Sequence, residues 1–433
     1  MSDAGGTKRV VIVGGGVAGL ELATRLARRR TLRGRASVTL VDRSLSHAWK
    51  PMLHTFAAGT DRPERQKIDF LAHARTSGFR FWPGLLTGVD RATRRIALAP
   101  DAVGPVLPLD GLAPDHLDYD VLVLAIGSRA NDFGTPGVVE HCLTIDDLAG
   151  AELFRAHLRR HVFASILNRG DLTIAIVGGG PTGVELAAEL MRAIELVAGY
   201  AEPALRRRLK VTLLDHGPRL LATFPERVSA AAAQTLAELG VEVRTGVAVT
   251  GADASGLLLG DGGRLDAGLR VWAAGVKAPD VLATIGGLDR AHGGQLMVDA
   301  GLRTSDPAIL AVGDCAALMD PTTGRPLPAT AQVAHQQAAH IARHLDPAAP
   351  ERLPPFRYRD FGSLVALGDY GGWGTIGRYT FGGNRLQGLV ARLGHALLYR
   401  QHQLVLYGPV RAGMATLVDR LDRLVTPAVR LDV

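Results

Sequence analysis

Cysteine is nearly absent from this chain: Cys142 and Cys315 are the whole complement. Two such distant residues exclude a disulfide framework, a cysteine metal cluster and a CxxC or CxxxxC redox pair. A reducing compartment is therefore the default. Aromatic residues are few, at 5%, and no nucleic-acid module is recognisable. The net charge of +7 and pI of about 9.7 are thus not read as a nucleic-acid footprint, and the arginines from Arg25 to Arg35 are read as solvated helix faces. Uninterrupted apolar runs of about 18 residues are missing, so no membrane-spanning helix is expected. The start, MSDAGGTKRV, lacks the charged-then-apolar layout of a leader. These absences leave a protein that is soluble or held at a membrane surface.

What is present is a large core. The 433 residues suggest two or three domains, with 47% hydrophobic and 21% charged residues. Glycine is abundant, at 52 residues, and much of it stands between Val/Ile/Leu runs and Ala/Leu/Arg stretches. That alternation predicts an α/β fold of parallel sheets covered by helices.

One pattern occurs twice. Val10 to Val13 runs into Gly14-Gly-Gly16-Val-Ala-Gly19 and leaves as a helix from Leu20. Gly14 allows the tight turn, Gly16 lets a pyrophosphate reach the backbone, and Gly19 lets the helix pack against the strand. The helix N-terminus adds free N–H groups and a positive dipole end. The next strand, Ser37 to Asp42, ends in an acid placed to accept both hydroxyls of an adenosine ribose. The second copy is Leu172 to Val177, Gly178-Gly-Gly180-Pro-Thr-Gly183, a helix from Val184, and a strand Lys210 to Asp215. One such turn is weak evidence. Two in the same strand–turn–helix setting, each followed by an acid, point to two nucleotides. Asp215 would repel a 2′-phosphate, with His216 and Arg219 beyond it, so the second site reads as one for NADH rather than NADPH.

With these motifs the chain resembles the FAD/NAD-linked two-dinucleotide-domain flavoproteins. Tyr119 to Ser128, carrying Gly127, is similar to their strand returning to the first domain. Leu269 to Val276, carrying Gly275, is similar to its counterpart in the second. Ala308 to Ala316 looks like the flavin segment, in which Gly313 precedes an Asp, here Asp314, that bonds the ribityl chain. Residues 43–70 contain no Cys, which closes the disulfide-reductase route, and sulfide:quinone reductases need more cysteines than two. The chain most resembles type II NADH dehydrogenases, the single-subunit NADH:quinone oxidoreductases. His47 to Gly59, Asn131 to Gly137, Pro328 to Gln337 (PATAQVAHQQ) and Leu397 to Gly408 carry that likeness over nearly the whole chain. Asp215 departs from an expected Glu.

The resemblance implies an FAD-binding domain of residues 1–135 and 290–345, interrupted by an NADH-binding domain of residues 136–289. A C-terminal domain, residues 346–433, would carry amphipathic membrane-surface helices that shape the quinone site. The implied reaction is hydride transfer from NADH to FAD N5, then two-electron reduction of a membrane quinone, without proton pumping. Gly14, Gly16, Gly19, Asp42, Lys50, Gly127, Gly313, Asp314 and Gln332 would hold FAD. Gly178, Gly180, Gly183, Glu185, Asp215 and Gly275 would hold NADH. Glu185, Gln332, Gln336 and Lys50 are the residues expected in catalysis, and no metal is expected.

Each role has a plainer alternative. Lys50 would stabilise negative charge on the reduced ring, or be a surface lysine. Glu185 would orient the nicotinamide, or only complement a helix dipole; Glu21 holds the equivalent place in the first copy, and Glu189 is read as structural. Gln332 and Gln336, four apart on a helix, share one face, which the resemblance places toward flavin and quinone. His335 would give the quinol a proton, or simply pack. Cys315 and Cys142 read as buried fillers.

Between residues 385 and 425, Leu386, Leu389, Val390, Leu393, Leu397, Leu398, Leu404, Val405 and Leu406 alternate with Arg392, Arg400, Arg411 and Arg420, beside Tyr399 and Tyr407. That composition suits helices lying in a membrane interface and suits a dimer interface nearly as well; the resemblance favours the membrane, on its cytoplasmic face. A homodimer is a reasonable default. Two other functions compete: a soluble NADH-dependent reductase of a small electron-transfer protein, and a non-catalytic NADH-sensing flavoprotein.

Overall fold

The computed structural model describes residues 6–61, 67–99, 115–200, 203–368, 370–376, 379–383 and 385–425. The side chains of Leu386, Leu389, Val390, Arg392 and Leu393 lie outside what is described.

Both expected Rossmann-like units are present. In the first, β1 (Lys8–Val13) enters the Gly-rich turn, α1 (Val17–Arg28) leaves it, and β2 (Ala36–Asp42) follows. Val10 to Val13 are buried on both faces, as a central parallel strand requires. β3 (Arg80–Pro83) extends the sheet beyond β2, and β4 (Val121–Leu124) pairs on the other side of β1. Leu20, Leu22 and Leu26 of α1 are buried, each contributing about 1.5–3 kcal/mol by the usual transfer figures.

The second unit repeats this plan. β5 (Leu172–Val177) leads through a Gly-rich turn to α2 (Pro181–Tyr200) and β6 (Leu209–Asp215). β7 (Val241–Thr245) and β8 (Leu269–Trp272) complete a four-stranded parallel sheet in the order β7-β6-β5-β8. The chain then returns to the first sheet, whose outer strand β9 (Ile309–Ala311) pairs parallel with β4. A two-stranded antiparallel link, Arg129–Ala130 against Val276–Lys277, joins the units. It is braced by Lys277–Asp132 at 2.9 Å and by the Trp272 indole N–H donating to the Asn131 carbonyl at 2.7 Å.

α3 (Ala331–His344) packs against α1 through Ala334, Ala338 and Ile341. Beyond it lies a three-stranded antiparallel sheet, Ser363–Ala366, Gly372–Ile376 and Tyr379–Gly383. The chain ends in α4 (Arg385–Val425), which is broken at Gly408, φ 76° and ψ 171°. Pro409 supplies no N–H to continue the ladder, and glycine takes the positive φ at little cost. Arg400 Nη2 and Asp419 Oδ2 meet at 2.6 Å across the break, so the two half-helices fold back on each other. In the inner half Tyr399, His402, Gln403 and Leu406 are buried. In the outer half Val410, Met414, Leu417, Val418 and Leu421 are each more than half exposed. Among the described residues no helix is long and apolar enough to cross a membrane.

Candidate dinucleotide and electron-transfer site

The glycines of each turn divide into those the fold needs and those it leaves open. A Cβ on Gly14 would stand 2.3 Å from the Ala125 carbonyl oxygen, and one on Gly19 1.8 Å from that of Gly14. At Gly16 a Cβ would meet nothing within 4 Å. The second turn matches: Gly178 at 2.3 Å from the Ala273 oxygen, Gly183 at 2.0 Å from the Gly178 oxygen, and Gly180 facing open space. No side chain caps α1 at Gly16, so its first N–H groups are available to an anion. Pro181 opens α2 with its φ preset for a helix. Each turn therefore has the cradle a dinucleotide pyrophosphate needs. Gly15 carries a constraint the motif does not reveal: a Cβ there would lie 2.2 Å from the Phe70 ring.

The two acids play parallel parts. Asp42 accepts from the backbone N–H groups of Gly15 (2.5 Å) and Ser44 (2.7 Å). Burial pushes its carboxyl up, and those bonds pull against the shift. Asp215 accepts from Gly179 N (2.5 Å) and Gly217 N (2.6 Å). Beside Asp215, His216 is exposed. Arg219 is engaged elsewhere: it donates to the carbonyls of Leu221, Ala222 and Phe224 and to the Ser229 hydroxyl.

Between the turns, residues from four places in the chain converge. The Ser128 hydroxyl donates to Asp314 Oδ2 at 2.7 Å. Lys50 Nζ donates to the Ser128 carbonyl (3.1 Å) and hydroxyl oxygen (3.3 Å). Gly127 and Gly313 both have positive φ, 68° and 70°. Gly313 N donates to the buried Gln337 Oε1 at 2.7 Å. A cleft lined by Gly313, Asp314, Leu318, Pro328, Val333 and Gln337 opens beside them. Gly275, φ 138°, lies against the Phe133 ring. Gln337 closes the PATAQVAHQQ run, but the four-residue helical spacing singles out Gln332 and Gln336, and only the fold brings Gln337 to Gly313.

Gln332 and Gln336 hold the strap that follows α3. Gln332 Oε1 accepts from the Tyr358 hydroxyl (2.8 Å) and Phe361 N (3.0 Å), and its Nε2 donates to the Gly362 carbonyl. Gln336 exchanges two bonds with the Arg359 backbone, at 2.8 and 3.0 Å.

The equivalent glutamates of the two copies end in opposite states. Glu21 is fully buried. Burial alone would raise its carboxyl, yet hydrogen bonds from His335 and His402 hold it down at about 2. Glu185 is also buried, accepts from Ala366 N at 3.0 Å and has His54 Nδ1 at 3.7 Å. Burial, against the Ala366 bond and with help from nearby Glu189, pushes it up to about 8. Glu189 accepts from the Thr60 hydroxyl at 2.8 Å. His335 sits on Glu21 and beside Gln401 (3.0 Å). Both cysteines are buried, and burial pushes each thiol up to about 11.

Residues 8–338 match the family model described as pyridine nucleotide-disulphide oxidoreductase. A type II NADH:quinone oxidoreductase of Haemophilus influenzae is 38% identical, over 98% of this chain and all of that one. One from Staphylococcus aureus is 27% identical, over 85% of this chain and 90% of its own length. The solved structure of NDH2 from Plasmodium falciparum in complex with NADH shares the fold with a TM-score of 0.82 at 18% identity, covering 98% of this chain and 100% of that one. The chain thus belongs to the pyridine nucleotide-disulphide oxidoreductase family and, within it, to the type II NADH:quinone oxidoreductases.

Proposed function

We propose that this enzyme oxidises NADH at the second Gly-rich turn, through FAD held by the first, and reduces a membrane quinone. The observation that carries the reading is the pair of turns, each with one open glycine and one clamped acid, flanking the Lys50–Ser128–Asp314 convergence. FAD when bound supplies the redox chemistry, accepting a hydride at N5 and passing two electrons on.

The chain's own residues bind, orient and exclude water. Gly14, Gly16 and Gly19 with Asp42 are the proposed cradle for the FAD pyrophosphate and ribose. Gly127, Gly313, Asp314 and Gln332 belong to its flavin end. Asp314, held by Ser128, would accept from a ribityl hydroxyl, and Lys50 would supply a positive charge to the reduced ring. Gly178, Gly180, Gly183, Asp215 and Gly275 serve NADH. The commitment of Arg219 to backbone carbonyls leaves Asp215 to face the ribose, which favours NADH over NADPH. Glu185, neutral near pH 7, would orient the nicotinamide carboxamide as a hydrogen-bond donor rather than as a charge. Gln332 and Gln336 would shape the quinone-facing wall by fixing residues 358–362.

The proposed division is residues 1–135 with 290–345 for FAD, 136–289 for NADH and 346–433 for the C-terminal domain. The exposed apolar stripe from Val410 to Leu421, with Arg411 and Arg420, would lie in the head-group layer on the cytoplasmic face. A protein electron acceptor would need no such stripe, and the stripe also suits a homodimer. Anaerobic stopped-flow tests the scheme. Mixing the yellow protein with NADH should bleach the flavin, and adding a short-chain quinone should restore its colour in one fast phase. A flavin that NADH leaves oxidised, or a reduced flavin that ignores quinone, defeats it.

A further inference from the structure

His47, His402 and Glu21 form a chain between the first Gly-rich turn and the inner half of α4. The Gly15 peptide is held on both sides: its N–H by Asp42, its carbonyl by His47 Nδ1 at 2.8 Å. A carbonyl only accepts, so His47 donates through Nδ1. The His47 ring lies against His402, centroids 4.9 Å apart, and Trp49 lies against His402 at 4.9 Å. His402 Nδ1 reaches Glu21 Oε1 at 2.8 Å, and His335 Nδ1 reaches the same carboxylate at 2.8 Å. Glu21 stands on α1, the helix that leaves the turn. Both ends of the chain are therefore fixed to one strand–turn–helix unit, with His402 of α4 between them. Arg28, further along α1, caps the inner half-helix by donating to the carbonyls of Val405 (3.0 Å) and Leu406 (2.7 Å). Those carbonyls belong to the last turn before the break, where a cation is favoured.

A charged carboxylate this deeply buried is stable only while its partners stay in place. Lifting α4 would strip Glu21 of His402 and remove the ring that holds His47 on Gly15. Relaxing the turn would remove the acceptor of His47 and loosen its packing on His402. We propose that occupancy of the first Gly-rich turn by FAD and docking of the inner C-terminal half-helix stabilise each other through His47, His402 and Glu21. The inference rests on the reading that this turn holds FAD. Such coupling is reciprocal by necessity. It makes the segment bearing the exposed apolar stripe fully set only in flavin-loaded enzyme.

Hydrogen exchange on the full-length protein tests this, with and without FAD. Residues 396–407 should exchange about tenfold faster after FAD is stripped, while 172–177 in the other unit stay as protected. In the loaded enzyme, His402→Phe should keep the contact with Trp49 but release FAD about tenfold faster, read by flavin fluorescence. His402→Asn, which returns a donor near Nδ1, should restore most of the retention. Should His402→Phe fail to fold, Glu21→Gln gives the same reading with a smaller rise. Exchange at 396–407 that is indifferent to FAD overturns the proposal, as does faster helix exchange in His402→Phe with unchanged FAD release. If stripping FAD also deprotects 172–177, the variants on the loaded enzyme decide alone. A wild type that binds no FAD would defeat the cofactor reading instead.

Discussion

Single residues show how one position in a repeated motif can take opposite chemistry. Glu21 and Glu185 occupy the same place in their helices, yet two imidazoles hold the first ionised while burial, with nearby Glu189 and in spite of the Ala366 N–H, keeps the second protonated. This has a consequence for stability. A carboxyl whose folded pKa is about 8, against about 4.5 when unfolded, favours the fold fully below pH 4.5. That contribution declines as pH rises toward 8. Glu185→Gln should therefore remove a fall in melting temperature between pH 6.5 and 8, measured by calorimetry. An unchanged alkaline limb would show that Glu185 is ionised in the fold. Asp215 offers a second test. It clamps Gly179 and Gly217 as well as facing the proposed ribose. Asp215→Ser combined with His216→Arg should lower the NADH/NADPH ratio of kcat/KM by about tenfold or more, roughly 1.4 kcal/mol. A wild type that already prefers NADPH would overturn the assignment.

At the scale of the element, each Gly-rich turn separates folding from binding. Gly19→Ala places a methyl 1.8 Å from the Gly14 oxygen and should abolish soluble expression or cost several kcal/mol. Gly16→Ala meets no atom and should fold with a melting temperature close to wild type while losing FAD, checked by absorbance at the flavin band. The C-terminal helix has its own division at Gly408. Cutting near Pro354 would remove the Ala366 N–H that Glu185 uses and the strap that Gln332 and Gln336 hold. A cut after Gly408 spares both. That shorter protein should stay yellow and NADH-reducible but lose most of its binding to anionic vesicles in a flotation assay. Retained flotation would place membrane contact elsewhere.

Across the whole molecule, buried histidines set the acid limit. Burial lowers His47 to about 3 and His73 to about 4 from an ordinary 6.5. Below pH 6.5 the unfolded chain takes protons there that the fold refuses, so stability falls as pH drops from 6.5 toward 4. Glu185 acts in the other direction from about pH 4.5 to 8, offsetting one of the two histidines below pH 6.5. Together these groups predict a stability maximum near pH 6.5: below it two histidines outweigh one carboxyl, and above it the carboxyl acts alone. Thermal melts from pH 4 to 9 would reveal it, and a maximum at pH 8 or above would contradict these assignments.

The sequence by itself determined both Rossmann-like units, because a strand–turn–helix with three spaced glycines is local chemistry: φ, Cβ clearance and helix-end N–H groups all act within a few residues. It also supplied the acids at Asp42 and Asp215 and the absence of a redox cysteine pair. Only the tertiary structure decided which side chains meet. Gln337 reaches Gly313, Arg219 turns away to carbonyls, and His402 finds Glu21 from the far end of the chain. The charge states of Glu21 and Glu185 followed from those meetings, because a buried carboxyl takes its protonation from long-range neighbours that no local spacing records.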